Sequence, residues 1–241
     1  MLVRDVAVTV DPPAVTLRQG ETQTFAAIVT GTVDTAVIWS ADGGTIAPDG
    51  TWTAPAAPGS YTISATSAAD PAKAALATAT VPVATGLAYV DPPPTGWRLV
   101  RNAALSDPQR LVLDLHGPVG EAGRGVDLTL AVDPGEAGWT EAIAGDPALV
   151  RNVAFQLGTP PQLLAAHADG GTLRAGVFQK GTSFPATPYG GPLVSVALSL
   201  APGAPLASGT PLALSVAKAA ALPPAGGLQP ILVQVGTLVA E

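Results

Sequence analysis

Two histidines, eighteen carboxylates and no cysteine are the chain's stock of groups for general acid–base, nucleophilic or metal chemistry. His116 stands in LDLHGP at the end of a strand-like run, and His167 in LLAAHADGG just ahead of a turn. Neither has a partner at a spacing that would make it a base or a ligand. There is no Gly-x-Ser-x-Gly elbow, no phosphate-binding Gly-rich loop ending in Lys-Ser/Thr, and no His-Glu-x-x-His. The absence of cysteine excludes disulfides, thiolate zinc sites, iron–sulfur clusters and thiol nucleophiles. Among the carboxylates, Asp114 and Asp127 fall on neighbouring predicted strands, and Asp133 and Glu136 bracket the run DPGE. A glycosidase needs two such groups about 5–10 Å apart in a cleft, and no spacing here imposes that. Asp133-Pro134-Gly135 reads more simply as a turn, with Asp as cap and Gly supplying positive φ. Oxygen-bearing loop ends leave Ca²⁺ as the ion to consider, although no Asp-x-Asp-x-Asp-Gly loop is present. The expectation is a protein without catalytic or cofactor-binding residues, and not an enzyme.

Recognition is the better-founded chemistry. The run FQKGTSFPATPYGGP, Phe178–Pro192, is a long Gly- and Pro-containing loop that carries Lys180, Phe184 and Tyr189. Aromatic and charged side chains on a loop held by a rigid scaffold are where binding tends to reside. With Trp139 these are the candidate binding residues. The competing role for each aromatic is packing: Phe184 and Tyr189 would fold back to seal one end of the fold, and Trp97 and Trp139 would enter the core.

The elements that must position these groups are strands. Apolar residues make up 47% of the 241, enough for real cores, but aromatics are only 5%, so Val, Leu, Ile and Ala must build them. The 27 Gly and 25 Pro punctuate short alternating runs, which is the pattern of strands joined by turns rather than of disorder. Val6, Val8 and Val10 alternate with polar neighbours and end at Asp11-Pro12-Pro13. Phe25, Ala27 and Val29 follow, then Val37 and Trp39, then Tyr61, Ile63 and Ala65, then Ala77 to Val83. Turn signals every ten residues or so predict a β-sandwich over residues 1–84.

Three pieces carry a resemblance: Val37 and Trp39 as a Val-x-Trp strand, the GTIAPDGTWTAP hairpin, and PGSYTISATS. Residues 4–83 resemble the bacterial Ig-like domains of surface proteins. The resemblance implies Trp39 in the core, against Phe25 or Ala27 and Ile63 where other Ig domains have a disulfide. It implies a tyrosine corner at Tyr61. Trp52, on the short hairpin strand, is expected at the core edge or as interdomain cover, with surface stacking on a sugar as the sharper alternative.

ATGLAYVDPPPTG follows, and its Pro92-Pro93-Pro94 run predicts a semi-rigid linker over 85–96, with a strand ahead of the prolines at Leu87–Val90. Residues 97–241 are again strand-like, with predicted strands Trp97–Arg101, Arg110–Leu115, Val126–Val132, Asn152–Leu157, Leu173–Phe178, Leu193–Leu200, Leu212–Val216 and Ile231–Val239. One helical turn is expected at Asp146–Arg151, Asp146 as N-cap and Pro147 at the first helical position. Eight or nine strands with long loops suggest a jelly-roll. The strand and turn succession of GGTLRAGVFQKG, GPLVSVALSLAPGAPLASGTPLALSVAKAAAL and LVQVGTLVAE is similar to cohesin-type and carbohydrate-binding sandwiches over residues 125–240. The fold class is therefore all-β: an N-terminal Ig-like and a C-terminal jelly-roll, cohesin-like β-sandwich.

A net charge of −7 with only 12% charged residues leaves no basic stripe for phosphates or anionic lipids, so neither nucleic acid nor membrane surface is an expected partner. No stretch of about 18 apolar residues is present to insert into a bilayer. Together these features predict a non-enzymatic bacterial cell-surface or extracellular protein with a structural or adhesive role. Export is expected, with the signal peptide absent from this chain. Its second domain would bind a protein partner or a copy of itself, a filament or sheath subunit being one variant. The alternative is a carbohydrate-binding module with a glycan ligand. ILVQVGTLVAE at the C-terminus is an apolar strand open to use in cis or in trans.

Overall fold

The structure, a computed structural model, describes residues 5–158, 163–203 and 205–241. Among them every regular element is a β-strand, and no helix is long and apolar enough to cross a membrane. The chain forms two compact units. The first contains the chain up to Ala84 together with Pro205–Thr210 and Glu241; the second contains Thr85–Ala204 and Pro211–Ala240.

In the first unit, β1 (Ala7–Asp11) pairs antiparallel with β4 (Ala26–Thr30). β2 (Ala14–Thr16) runs parallel to β9 (Ala74–Val81). β8 (Gly59–Ser67) lies between β9 and β5 (Val37–Ala41), giving the sheet order β2-β9-β8-β5. β3 (Thr22–Thr24), β7 (Thr51–Thr53) and β6 (Thr45–Ile46) form the third ladder. This is the Ig arrangement, in which the first strand splits between the two sheets and its second half runs parallel to the last strand. The alternation read from the sequence holds: Ile63 and Ala65 of β8 and Ala77, Ala79 and Val81 of β9 are buried, whereas Thr62, Leu76 and Thr78 on the opposite parity are exposed.

The two tryptophans exchange their expected roles. Trp52 has no exposed surface and lies in the core with Phe25, Ile63 and Ala79, whereas Trp39 is half-buried on the rim of that cluster. The cause is polar as well as steric. Trp52 Nε1–H donates to Gly43 O at 2.8 Å, so the indole is satisfied indoors. Gly44, at φ +71°, makes room, since a Cβ there would stand 2.8 Å from that nitrogen. Phe25 fills the space beside Ile63, and Trp39 packs outside Phe25 with ring centroids 6.5 Å apart. Tyr61 makes the corner contact that the resemblance implies, its hydroxyl donating to Ala57 O at 2.7 Å.

In the second unit, β10 (Leu87–Val90) pairs with β25 (Thr237–Ala240), which also pairs with β21 (Pro211–Leu212). One large sheet has the order β15 (Ala137–Thr140), β20 (Pro192–Leu200), β12 (Leu111–His116), β11 (Trp97–Arg101), β24 (Val233–Gln234). Here β24 is parallel to β11, and β16 (Val150–Asn152) also pairs with β20. The other has the order β17 (Leu163–Asp169), β18 (Thr172–Phe178), β14 (Gly125–Val132), β22 (Leu214–Leu222), β23 (Gln229–Pro230). β13 (Ala122–Gly123) and β19 (Thr187–Pro188) form a small ladder at one end. The core is aliphatic: Leu99, Leu111, Leu113 and Leu115 from one sheet and Val126, Leu128, Leu130 and Leu173 from the other are at most 1% exposed.

Several expectations are corrected here. Asp146–Arg151 is not helical; the Asp146 carboxylate instead accepts the Ala148 N–H at 3.1 Å in a local turn. Residues 153–157 are not strand, while LLAAHAD, read as the approach to a turn, is the seven-residue strand β17. The strand expected ahead of the prolines is present as β10, where Tyr89 is buried and its hydroxyl donates to Leu99 O at 3.2 Å. The C-terminal run is used in cis, as β24 and β25.

Candidate functional site

The broad feature of the second unit is the outer face of the β17-β18-β14-β22 sheet. Cross-strand register sets its side chains in rows. Ala165, Gly176, Asp127 and Ala220 form one row; His167, Arg174, Thr129 and Lys218 form the next; Asp169, Thr172, Ala131 and Ser215 form a third. These are the outward positions of strands whose inward positions, Leu128, Leu130, Leu173, Ala175 and Val177, are buried. His167, Arg174 and Lys218 are exposed. Lys218 Nζ is ion-paired with Asp127 at 3.0 Å, and among the described residues Arg174 makes no salt bridge. Side-chain size shapes the surface. Gly176 leaves a gap between Asp127, Ala165 and Arg174, and a shallow open depression of about 300 Å³ results, with His167 on its wall. A Cβ at Gly176 would stand 3.1 Å from the Phe178 ring and 3.9 Å from the Asp127 carboxylate. The face thus combines a small-residue floor with a guanidinium, an imidazole and an ion pair held on rigid strands. It is suited to lie against another protein surface, with Arg174 placed for a carboxylate.

The residues singled out by sequence lie elsewhere. Tyr189 is a correction: it is 3% exposed, packs on Trp97 with centroids 4.6 Å apart, and donates its hydroxyl to Leu222 O at 3.1 Å. Burial, with Glu121 nearby, pushes its phenol up to about 12. Gly123 makes the pocket, since any side chain there would overlap the Tyr189 ring. Phe184 is half-buried, and its carbonyl accepts Arg124 Nη1–H at 2.9 Å, which fastens the loop. Lys180 is exposed. Trp139 is half-buried, with Nε1–H donated to Gly171 O at 2.8 Å. Gly171 and Phe178 flank opposite ends of β18, roughly 20 Å apart at about 3.3 Å per residue, so Trp139 and the 178–192 loop do not share a surface.

The polar groups that suggested chemistry are held structurally. Asp114 and Asp127 sit on different sheets, not on neighbouring strands. Asp114 is buried and accepts Ser195 Oγ–H at 2.6 Å and Asn102 Nδ2–H at 2.9 Å, while Asn102 Oδ1 accepts the N–H groups of Ala104 and Leu105. This network pins the 102–106 loop over β12. Asp133 Oδ1 accepts the Gly135 N–H at 2.8 Å, which is a capped turn. Burial first, and then the neighbouring Arg98, push His116 below its ordinary value. Among the described residues no three His, Asp or Glu side chains cluster as metal ligands.

Two all-β units, one in the Ig strand order and one a two-sheet jelly-roll, define the chain as a double β-sandwich protein. No family model matches it, and no curated protein sequence does. Among solved structures it is similar to the sixth cohesin of scaffoldin B from Acetivibrio cellulolyticus, determined in complex with a dockerin. The two are 16% identical, and the match covers 59% of this chain and 96% of that one at a TM-score of 0.40. A type II cohesin from the adaptor scaffoldin of the same organism is 8% identical over 60% of this chain and 88% of that one, with a TM-score of 0.44. The eight N-terminal Ig domains of Down syndrome cell adhesion molecule match 96% of this chain and 27% of that one, at 12% identity and a TM-score of 0.25.

Proposed function

We propose that this chain is a non-enzymatic interaction protein of the bacterial cell surface or extracellular space, and that its second unit docks a partner protein on the outer face of the β17-β18-β14-β22 sheet. The supporting observation is that face itself: Arg174, His167 and the Asp127–Lys218 pair stand on four hydrogen-bonded strands around a floor of Ala165 and Gly176. Rigid polar groups around a small-residue floor favour a protein surface carrying carboxylates. The glycan alternative draws less support. Sugar stacking needs exposed coplanar rings, and Trp52, Trp97 and Tyr189 are buried. Self-association keeps one specific observation in its favour. Among the described residues β17 ends its sheet; it is seven residues long and contains neither Pro nor Lys to guard the edge.

The test starts from a binding partner recovered on the immobilised full chain from the extracellular fraction of the producing bacterium, then purified and titrated. Arg174→Glu is expected to weaken binding by about tenfold or more, since a close interfacial charge pair contributes more than about 1.4 kcal/mol. Lys180→Glu is expected to bind as the parent does. Equal affinity for Arg174→Glu and the parent contradicts the assignment of this face.

A further inference from the structure

The first unit is completed by a piece of chain far from it in sequence. Ala207 has no exposed surface and belongs to the core cluster of Phe25, Trp52, Ile63 and Ala79. The backbone around it is gripped on both sides. On one side Val83 and Ala207 pair as an antiparallel bridge, with Ala84 N–H donated to Leu206 O and Ser208 N–H to Pro82 O, both at 2.8 Å. On the other, Gln19 N–H donates to Ser208 O at 2.8 Å, and Gln19 Oε1 lies 2.6 Å from the Thr210 hydroxyl. Gly209, at φ +93°, lets the strap close on Arg18, where a Cβ would stand 2.9 Å from that residue's own Cβ. Arg18 is in turn ion-paired with Glu241, so two late pieces of chain converge on the turn at 18–20.

We propose that the first unit contains a groove for an extended peptide with a small central residue, and that Pro205–Thr210 is its ligand, bound in cis. Main-chain hydrogen bonds on two sides and one side chain buried at the centre are how a strand-like peptide is recognised by addition to a sandwich. Full burial of Ala207 limits the central position to Ala or Gly, because extra methylenes in a packed core force neighbours off their rotamers. Without the hexapeptide, the Gln19 and Ala84 N–H groups lose their acceptors and a hole opens in the core cluster that Ala207 shares with Phe25, Trp52 and Ile63. The unit is therefore closed only while the groove is filled, and residues 1–84 depend on a segment about 120 positions downstream.

The test is amide hydrogen exchange, read segment by segment on the full chain carrying Ala207→Asp, which places a carboxylate where no solvent reaches. Exchange at Gln19, Ala84 and the β7–β9 core is expected to accelerate by about 100-fold or more, while β12 and β14 keep parental rates. Ala207→Gly, which removes only a methyl group, is expected to give a smaller acceleration at the same amides. It carries the test if the Asp variant does not fold. A synthetic Pro205–Thr210 peptide is expected to slow exchange at Gln19 and Ala84 in the Asp variant, and a scrambled peptide is not. Parental exchange at Gln19 and Ala84 in both variants overturns the proposal. So does equal loss of protection in β12 and β14, which would make the segment part of one shared core. A peptide without effect overturns the ligand reading.

Discussion

Replacing Trp52 with alanine separates two pictures of the first unit's core. A fully buried indole removes about 200 Å² from water, worth roughly 5 kcal/mol at about 25 cal/mol per Å². Alanine retains only a small part of that, and large-to-small aromatic changes in cores cost about 3–5 kcal/mol. The Nε1–H bond to Gly43 O adds about 1 kcal/mol. Trp52→Ala is thus expected to cost about 4–5 kcal/mol, as much as an entire small domain commonly has. Trp39 is half-buried and among the described residues its nitrogen makes no such bond, so Trp39→Ala is expected to cost about 2.5 kcal/mol, half the area term. Chemical denaturation followed by tryptophan fluorescence and by segment-resolved exchange measures both, the second probe assigning the loss to the first unit. Equal costs for the two variants, or a larger cost for Trp39→Ala, would refute the assignment of Trp52 as the central residue.

Other outcomes follow from single contacts. Ser195→Ala leaves the buried Asp114 carboxylate with one side-chain donor fewer and is expected to destabilise the second unit by about 1–3 kcal/mol in denaturant melts. Tyr189, raised to about 12, remains neutral when folded over an interval in which the unfolded chain ionises. Stability is therefore complete below pH 10 and falls between pH 10 and 12. Tyr189→Phe is expected to flatten that alkaline limb in pH-dependent melts. His116, lowered by burial and Arg98, resists protonation when folded, so its contribution is present above its ordinary value of 6.5 and is lost as pH falls below it. His116→Gln is expected to reduce the acid-side loss of melting temperature.

Alternation made most strands legible, and its failures have physical causes. Val126–Val132 and Leu193–Leu200 switch between large apolar and small or polar side chains, so their period is visible, and both are strands. In β17 the run Ala165-Ala166-His167-Ala168 has almost no contrast, because alanines stand at both inward and outward positions, and the strand is invisible to alternation. Asp127, His167, Arg174 and Lys218 span about ninety positions and meet only through the registers of three strand pairs. Single-strand patterns do not encode those registers. By sequence Tyr189 belongs to a recognition loop, since an aromatic among Gly and Pro resembles one. The pocket that takes it is made by the missing side chain of Gly123, some 66 positions earlier. Trp39 is marked by its Val-x-Trp strand motif, while the donor–acceptor match of Trp52 with Gly43 is a tertiary contact that no motif encodes.

The claim that the β17-β18-β14-β22 face is the docking surface is tested most directly by a photo-reactive residue at Ala165, beside the depression. Ala165 is exposed and its neighbours on the face are small, so the probe fits without disturbing the core. A matching probe at Leu76, exposed on the outer face of the first unit, serves as the reference position. Irradiation with the purified partner is expected to join that partner to the Ala165 probe and leave the Leu76 probe free, with the Ala165 adduct suppressed by Arg174→Glu. Partner cross-linked at Leu76 and absent from Ala165, or an Ala165 adduct indifferent to Arg174→Glu, would contradict it.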